Sequence, residues 1–297
     1  MKNLKYWLLA CRPKTLSLAA SPVLAGTALA AADQGVIHAG ILTATLMAAM
    51  LIQIGTNLHN DAADFERGAD DVSTRLGPPR ATASGWFTGA QVKFAAWLAF
   101  SCAFLLGVYL AYRGGWPIVA LGLAALASGW AYTGGPKPLA YTALGELFVF
   151  LFFGLAAVVG TYYLQTGTAD AAAWGVGALL GMPAAAVLAV NNYRDRDNDA
   201  KVGKNTLAVR LSRRGGQIEY ALLMLVPFAG LLALAWRWPV VLVVLVLLPL
   251  SAALVRRFLR EAPGPAFNVI LAATARFQLL FSLVLSTALV LWAVLAR

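Results

Sequence analysis

Asn191, Asp195 and Asp199 follow one another at intervals of four residues. Side chains at that spacing share one face of an α-helix, so one amide and two carboxylates would form a single stripe. Like charges at this spacing repel, and a carboxylate near a helix C-terminus faces the negative end of the helix dipole. A bound divalent cation would relieve both penalties. Because the stripe offers only oxygen ligands, the expected ion is Mg²⁺, which is typically held by one or two carboxylates together with substrate phosphates.

A second stretch, NLHNDAADFERGADD at residues 57–71, repeats this arrangement less regularly. Asn57, Asp61 and Asp64 are spaced by four and three residues, which still places them on one helical face. The two stretches together hold eight of the 13 acidic residues in the chain. The alternative to a metal site is that these acids are solvated and balance nearby Arg and Lys. Two further acids in the stretch are alternatives to Asp64 as the distal carboxylate: Asp70 and Asp71.

Basic residues accompany both groups of acids. A metal ion with surrounding cations suits a diphosphate, since both neutralise its oxygens and stabilise it as a leaving group. Arg80, Lys201 and Lys204 flank the acids, and Lys14 lies in the N-terminal segment CRPKTLSLAA. The alternative for any one of them is an anchor at the membrane surface.

The elements that must carry these residues are strongly apolar. Hydrophobic residues make up 60% of the chain and charged residues 12%, with a mean hydropathy of +0.73; soluble globular domains carry about 25% charged residues. A helix needs roughly 20 apolar residues to span a bilayer. We therefore predict an all-α polytopic membrane protein, a single domain over residues 1–297, in which nine helices cross the bilayer. The predicted spans are residues 15–32, 37–56, 91–112, 116–133, 144–165, 171–190, 217–236, 238–257 and 270–295.

Lys and Arg are distributed asymmetrically around these spans. If the N-terminus is cytoplasmic and nine spans alternate, 20 of the 23 basic residues fall on the cytoplasmic side. We therefore expect the N-terminus, and with it both acidic stretches, at the cytoplasmic face of the plasma membrane. The net charge of +10 then faces anionic lipid headgroups, and no nucleic-acid partner is needed to explain it.

Other site classes fit the sequence less well. The chain has two histidines and two scattered cysteines, which argues against a His- or Cys-based metal site. A cation-coupled transporter is the alternative from a different class, because intramembrane carboxylates also mark ion paths. Transport sites usually lie near the middle of the bilayer on interrupted helices, whereas these acids are expected at one face. A non-catalytic lipid- or quinone-binding protein would not need two stripes of metal-type ligands.

The chain resembles the UbiA-type superfamily of membrane prenyltransferases, whose signature is two Asp-rich motifs on helices 2 and 6 of a nine-helix bundle. The second stretch, NNYRDRDND, matches the NxxxDxxxD form directly. In the first, Asn57 and Asp61 fit, whereas the next acid, Asp64, comes one residue early. Within the superfamily the resemblance is strongest to enzymes of menaquinone synthesis, through RPKTLSLAASPVLAG, YTGGPKPLAYTALGELFVFLFFG and NNYRDRDNDAKVGKNTLAVRLS, and it covers the whole chain.

The resemblance implies a Mg²⁺-dependent enzyme that transfers a polyprenyl chain from polyprenyl diphosphate to 1,4-dihydroxy-2-naphthoate. Carbon dioxide and diphosphate are lost, and demethylmenaquinone is formed. Sister branches use other aromatic acceptors, so 4-hydroxybenzoate and homogentisate remain alternatives.

The resemblance also implies roles for individual residues. Tyr132 is the candidate for stabilising an allylic cation or orienting the acceptor, and Glu146 either tunes the acceptor hydroxyl or pairs with Lys137. Asp61 and Asp195 are expected to be essential for catalysis. The implied Mg²⁺ ligands are Asn57, Asp61, Asp64, Asn191, Asp195 and Asp199, and the implied diphosphate ligands are Lys14, Arg80, Lys201 and Lys204.

Overall fold

The computed structural model describes residues 2–68 and 76–295. These residues form helices joined by loops and contain no β-strand, so the all-α prediction is confirmed. In chain order the helices are α1 (Lys2–Ala10), α2 (Pro13–Gln34), α3 (Ala39–Glu66), α4 (Gly89–Gly114), α5 (Trp116–Ala131), α6 (Gly145–Thr166), α7 (Ala171–Lys201), α8 (Leu207–Arg210), α9 (Arg213–Ala235), α10 (Pro239–Arg260) and α11 (Phe267–Leu295).

Eight of the described helices are long and apolar enough to cross a membrane, namely α2, α3, α4, α6, α7, α9, α10 and α11. The ninth predicted span corresponds to α5, which has only 16 residues and is shorter than the roughly 20 that a span needs. Gly115 and Gly135, on either side of α5, have positive φ angles, which glycine adopts readily. The multi-pass architecture is therefore as predicted, and the count of nine full-length spans is one too high.

The helices α3 and α7 continue well beyond their apolar segments. They contain 28 and 31 residues, and their last turns carry the two Asn/Asp motifs. Gly68 and Gly203, both with left-handed backbone angles, follow the two helix ends. The motifs are therefore helical, as their spacing predicts. The alternative acids Asp70 and Asp71 lie outside the described residues.

Close packing of α6 against α7 positions the second motif. A Cβ atom on Gly154 would lie 2.5 Å from the Cα atom of Gly181, so only glycine allows these two backbones to approach as they do. Gly154 belongs to a π-helical stretch, Leu151–Ala156, that bulges α6 at this contact. Residues of α2, α7, α9 and α11 form the main buried core beside it, including Leu29, Leu180, Met224, Phe277 and Phe281.

Candidate active site

The C-terminal ends of α3 and α7 meet at one end of a large cavity of ≈ 1310 Å³. The cavity runs between α2, α3, α4, α5, α6, α7 and α11. Its polar end is lined by amide and carboxylate side chains from the two motifs and by Lys and Arg. The structure therefore brings together at one site the two acidic stretches that are more than 100 residues apart in the chain.

The second motif lies on the cavity. Asn191, Asp195 and Asp199 all line it, because intervals of four residues keep them on one face of α7. Asp199 is buried, whereas the side chain of Asp195 is 24% exposed. These three residues supply one amide oxygen and two carboxylates to the site.

Arg194 organises the second motif and was missed by sequence reasoning, which counted it only as a cytoplasmic charge. Its guanidinium is buried and donates to both oxygens of Asp195, from Nε at 2.8 Å and from Nη2 at 2.5 Å. It also donates to the side-chain oxygens of Asn191 at 2.9 Å and Asn268 at 2.7 Å. Such a bidentate pair fixes the orientation of a carboxylate. Arg194 thus holds Asp195 and Asn191 in place and links α7 to α11.

Asp61 does not line the cavity with the other motif residues. Its Oδ2 atom accepts a hydrogen bond from the backbone N–H of Ala81 at 2.7 Å, and its Oδ1 atom accepts one from Thr82 at 2.9 Å. The side chain is buried against this loop and is absent from the cavity wall. Asp61 therefore holds the loop that follows α3 in the described chain.

Asn60 takes the cavity-facing position that sequence reasoning gave to Asp61. It lines the cavity with Asp64, and its Oδ1 atom accepts a hydrogen bond from Thr133 Oγ1 at 2.6 Å. One residue along a helix is a rotation of about 100°, which separates Asp61 from this face. Asn60 and Asp64 are four residues apart, as Asn191 and Asp195 are, and this matching interval could have identified them.

Asn57 lies on the cavity and also secures the start of α2. Its Nδ2 atom donates to the backbone oxygen of Cys11 at 3.1 Å and to Thr15 Oγ1 at 3.0 Å. The oxygen of Asn57 accepts a long hydrogen bond from Gln53 Nε2 at 3.5 Å, and its second lone pair is left for a ligand.

Three of the four predicted diphosphate ligands line the cavity. Arg80 donates from Nη2 to Asp64 Oδ2 at 3.2 Å, and Lys204 Nζ lies 4.0 Å from Asp64 Oδ1. Lys14 lines the cavity from the first turn of α2. Lys201 is exposed and lies outside the cavity wall, because two residues along α7 from Asp199 rotate it by about 200°.

Tyr132 lines the cavity just after α5. Burial, assisted by the nearby Glu146 carboxylate, raises the pKa of its phenol above the usual range, so it remains a neutral donor. Glu146 is itself buried and accepts a hydrogen bond from Asn192 Nδ2 at 2.7 Å, whereas Lys137 is exposed. Glu146 therefore has a polar partner in the cavity wall, Asn192, rather than Lys137.

Away from the motifs the cavity is apolar. Phe148, Phe152 and Phe153 line it beside the polar end, on the first turns of α6. Ile118, near the start of α5, and Leu164, near the end of α6, line it at the opposite end of the bundle. The cavity therefore combines a charged mouth with an apolar channel that runs most of the height of the bundle.

Comparisons with known proteins agree with this geometry. The UbiA prenyltransferase family matches residues 19–280. The chain belongs to this family. It is 34% identical to 1,4-dihydroxy-2-naphthoate octaprenyltransferase of Haemophilus influenzae, over 98% of this chain and 97% of that protein. It is 38% identical to the protein of the same name from Mycobacterium tuberculosis, over 85% of this chain and 86% of that protein.

Solved structures of UbiA homologues share the fold. The apo structure of a UbiA homologue from Aeropyrum pernix K1 aligns with 94% of this chain and 98% of its own, with a TM-score of 0.68 at 13% identity. A UbiA homologue from Archaeoglobus fulgidus, solved bound to DMAPP and Mg²⁺, aligns with 96% of this chain and 98% of its own, with a TM-score of 0.65 at 13% identity. The predicted UbiA-type fold is confirmed.

The donor set of this UbiA-family cavity fits Mg²⁺. Within residues 2–68 and 76–295, no three acidic, His or Cys side chains come close enough to form a complete metal cluster on their own. The cavity instead offers carboxylates from two facing helices, with amide oxygens beside them. Mg²⁺ is commonly held by one or two carboxylates while water and substrate phosphates complete its shell. The site therefore suits a metal ion that binds together with a diphosphate.

Proposed function

We propose that this protein transfers a polyprenyl chain from polyprenyl diphosphate to 1,4-dihydroxy-2-naphthoate, releasing diphosphate and carbon dioxide and forming the hydroquinone form of demethylmenaquinone. The observation that carries the proposal is the single cavity, which joins a mouth of carboxylates, amides and cations to a long apolar channel. A polyprenyl diphosphate has the same division between a charged head and an apolar tail. The acceptor is proposed from the names of the relatives that align with nearly the whole chain.

The polar mouth is proposed to bind the diphosphate. Bound Mg²⁺ would neutralise the diphosphate oxygens and so assist their departure. Arg80 and Lys204 both lie beside Asp64, and Lys14 faces them from α2. These cations stabilise the charge that develops on the leaving group. The proposed metal ligands are Asn57, Asn60, Asp64, Asn191, Asp195 and Asp199, with Asp61 acting through the loop that it holds.

The apolar channel is proposed to hold the prenyl tail and the reactive carbon. As the carbon–oxygen bond to diphosphate breaks, positive charge develops on the allylic carbon. The rings of Phe148 and Phe152 and the neutral phenol of Tyr132 line the cavity close to the mouth, where aromatic faces stabilise such charge. The channel also excludes water, which would otherwise capture the cation.

The acceptor is proposed to react at the ring carbon that bears its carboxylate. A ring electron pair forms the new carbon–carbon bond, the electron pair of the bond to the carboxylate restores the aromatic ring, and carbon dioxide leaves. Asn192 lines the cavity, and its amide nitrogen is occupied by Glu146. Its oxygen is therefore the atom suited to accept a hydrogen bond from an acceptor hydroxyl.

The site is proposed to open at the cytoplasmic face of the plasma membrane, where the N-terminus also lies. The helix α2 begins at the polar mouth, and α3 and α7 end there, so this end of the bundle carries most of the Lys and Arg residues. Cytoplasmic loops of membrane proteins carry such an excess. Both substrates would then reach the mouth from the cytoplasm or from the adjoining leaflet.

An acceptor panel tests this proposal. Purified protein in lipid nanodiscs is supplied with Mg²⁺, one polyprenyl diphosphate and, in separate reactions, 1,4-dihydroxy-2-naphthoate, 4-hydroxybenzoate or homogentisate. We expect a lipophilic prenylated naphthohydroquinone from the first acceptor, which oxygen in air then oxidises to the quinone, and much less product from the others. Preferred prenylation of either other acceptor would overturn the assigned substrate, and cation flux without prenyl transfer would overturn the enzyme class.

A further inference from the structure

Tyr141 lies where three parts of the site meet. It ends a 3₁₀ turn, Leu139–Tyr141, in the loop between α5 and α6. Its hydroxyl donates to Asp64 Oδ1 at 3.4 Å. Lys204 Nζ lies 4.9 Å from the centre of its ring, and the guanidinium carbon of Arg67 lies 5.6 Å from it. One aromatic ring therefore contacts the proposed metal ligand Asp64 and two cations from different segments.

Backbone hydrogen bonds hold these segments together around the ring. The Asn205 N–H donates to the backbone oxygen of Tyr141 at 2.9 Å, which joins the segment after α7 to the loop after α5. Arg67, directly after α3, donates to the backbone oxygens of Thr133 and Gly135 in that same loop. The loop that carries Tyr141 is thus held in position by α3 on one side and by the segment after α7 on the other.

The chemistry of Lys204 explains why a fixed aromatic ring beside it would affect its position. A lysine ammonium lies at the end of a flexible four-carbon stem and loses considerable rotamer freedom when it is held in one place. An aromatic face attracts the ammonium through its negative quadrupole and does so more strongly where water is excluded. The side chain of Lys204 is only 17% exposed, so this attraction operates in a largely desolvated setting.

We propose that Tyr141 is a positioning residue for diphosphate binding: its ring holds the Lys204 ammonium beside Asp64 before the substrate arrives. This inference rests on the proposed function. The ring does the positioning, since the hydroxyl is 3.4 Å from Asp64 and contributes a weak hydrogen bond. Loss of the ring should therefore weaken binding of polyprenyl diphosphate, whereas loss of the hydroxyl alone should matter little.

A variant series at position 141 tests the role of the ring. Tyr141→Phe should leave the KM for polyprenyl diphosphate within about twofold of the parent, and Tyr141→Leu should raise it about tenfold with a smaller fall in kcat. In the Tyr141→Phe protein, the phenylalanine can be replaced in turn by mono-, di- and trifluorophenylalanine. Each added fluorine weakens the quadrupole of the ring and leaves the shape of the side chain almost unchanged. The logarithm of KM should rise steadily along that series. A KM that stays the same along the fluorinated series would overturn the proposal, and this test holds even if Tyr141→Leu folds poorly.

A double-mutant cycle tests the partner. If Tyr141 acts through Lys204, then Tyr141→Leu should add little to the KM of a Lys204→Met protein. Lys93→Met is the matched control, because Lys93 is an exposed lysine that pairs with Glu66 at 2.6 Å outside the cavity. In that background Tyr141→Leu should have its full effect. Equal effects in both backgrounds would overturn the inference, whereas a parent protein that transfers no prenyl group would overturn the proposed function instead.

Discussion

The carboxylate of Asp61 accepts a hydrogen bond from the backbone N–H of Ala81 at 2.7 Å, and Arg80, the residue before Ala81, reaches Asp64. Asp61 and Asp64 are thus connected through a loop. One acid fixes the loop, and the loop presents an arginine to the other acid. The two aspartates should therefore respond differently to the same substitution.

Asp64→Asn should lower turnover by about 100-fold or more and raise the Mg²⁺ concentration needed for half-maximal activity, because it removes a carboxylate from the cavity. Steady-state rates across a Mg²⁺ titration measure both effects. Glu66→Gln is the matched control, since the Glu66 side chain is 51% exposed and lies outside the cavity. Unchanged Mg²⁺ dependence in Asp64→Asn would remove Asp64 from the ligand set.

Asp61→Asn should instead destabilise the loop. The amide can offer an oxygen to only one of the two backbone N–H groups, so the other loses its acceptor at a cost of about 1–3 kcal/mol. We expect a lower melting temperature and a higher KM for polyprenyl diphosphate, caused by a displaced Arg80, with the Mg²⁺ requirement little changed. Thermal unfolding in detergent and a Mg²⁺ titration distinguish the two variants. A shift of the Mg²⁺ requirement as large as that of Asp64→Asn would restore Asp61 as a metal ligand.

Removal of Mg²⁺ should abolish turnover and leave the helical fold intact. The described bundle is held by packing and backbone hydrogen bonds, and its main core is made of apolar side chains. Addition of a chelator, followed by circular dichroism and a prenyl-transfer assay on the same sample, separates fold from activity. Excess Mg²⁺ should restore the rate. Full turnover in the presence of the chelator would contradict the proposed role of the metal.

The far end of the channel should limit the length of the prenyl chain. Ile118→Trp adds bulk to the cavity wall opposite the polar mouth, so the longest diphosphates should react at least about tenfold more slowly while short ones react normally. Val246→Trp, at a 69% exposed position of α10 outside the cavity, is the control. Rates with a series of prenyl diphosphates of increasing length provide the measurement. An equal loss of rate for short and long prenyl diphosphates would argue against a channel whose far end limits the chain length.

Tyr132 should act as a neutral phenol throughout the working pH range. Burial raises its pKa above the ordinary value of about 10, so the proton remains bound as pH rises to about 9.5. Tyr132→Phe should reduce kcat about tenfold, and its pH–rate profile should run parallel to that of the parent between about pH 7 and about pH 9.5. An alkaline loss of activity that disappears in Tyr132→Phe would show that the phenol ionises in this range.

Regular spacing made the second motif predictable from sequence. Its residues Asn191, Asp195 and Asp199 lie four residues apart. In any α-helix that spacing places the three side chains on one face, regardless of the tertiary contacts around the helix. The irregular first motif allowed two rotations of α3, one with Asp61 on the cavity and one with Asn60. The loop at Ala81 and Thr82 decides between them, and that contact spans 20 residues of sequence with no periodic signal.

Residues that act through tertiary contacts were beyond sequence reasoning. Arg194 looks like one of many cytoplasmic charges until α11 brings Asn268 beside it. Tyr141 lies in a loop, and its role depends on a meeting of α3 with the segment after α7. The count of membrane spans failed for a related reason, because hydropathy alone does not reveal where the turn after α5 shortens the helix.

Carbon dioxide release tests the central claim most directly. The purified protein is given 1,4-dihydroxy-2-naphthoate labelled in its carboxyl group, a polyprenyl diphosphate and Mg²⁺. Labelled carbon dioxide is measured beside the prenylated naphthohydroquinone, which is counted as the quinone after oxidation by air. The account predicts one carbon dioxide for each quinone formed, and neither product when the diphosphate is omitted. A prenylated product that retains the label, or carbon dioxide released without prenylation, would contradict it.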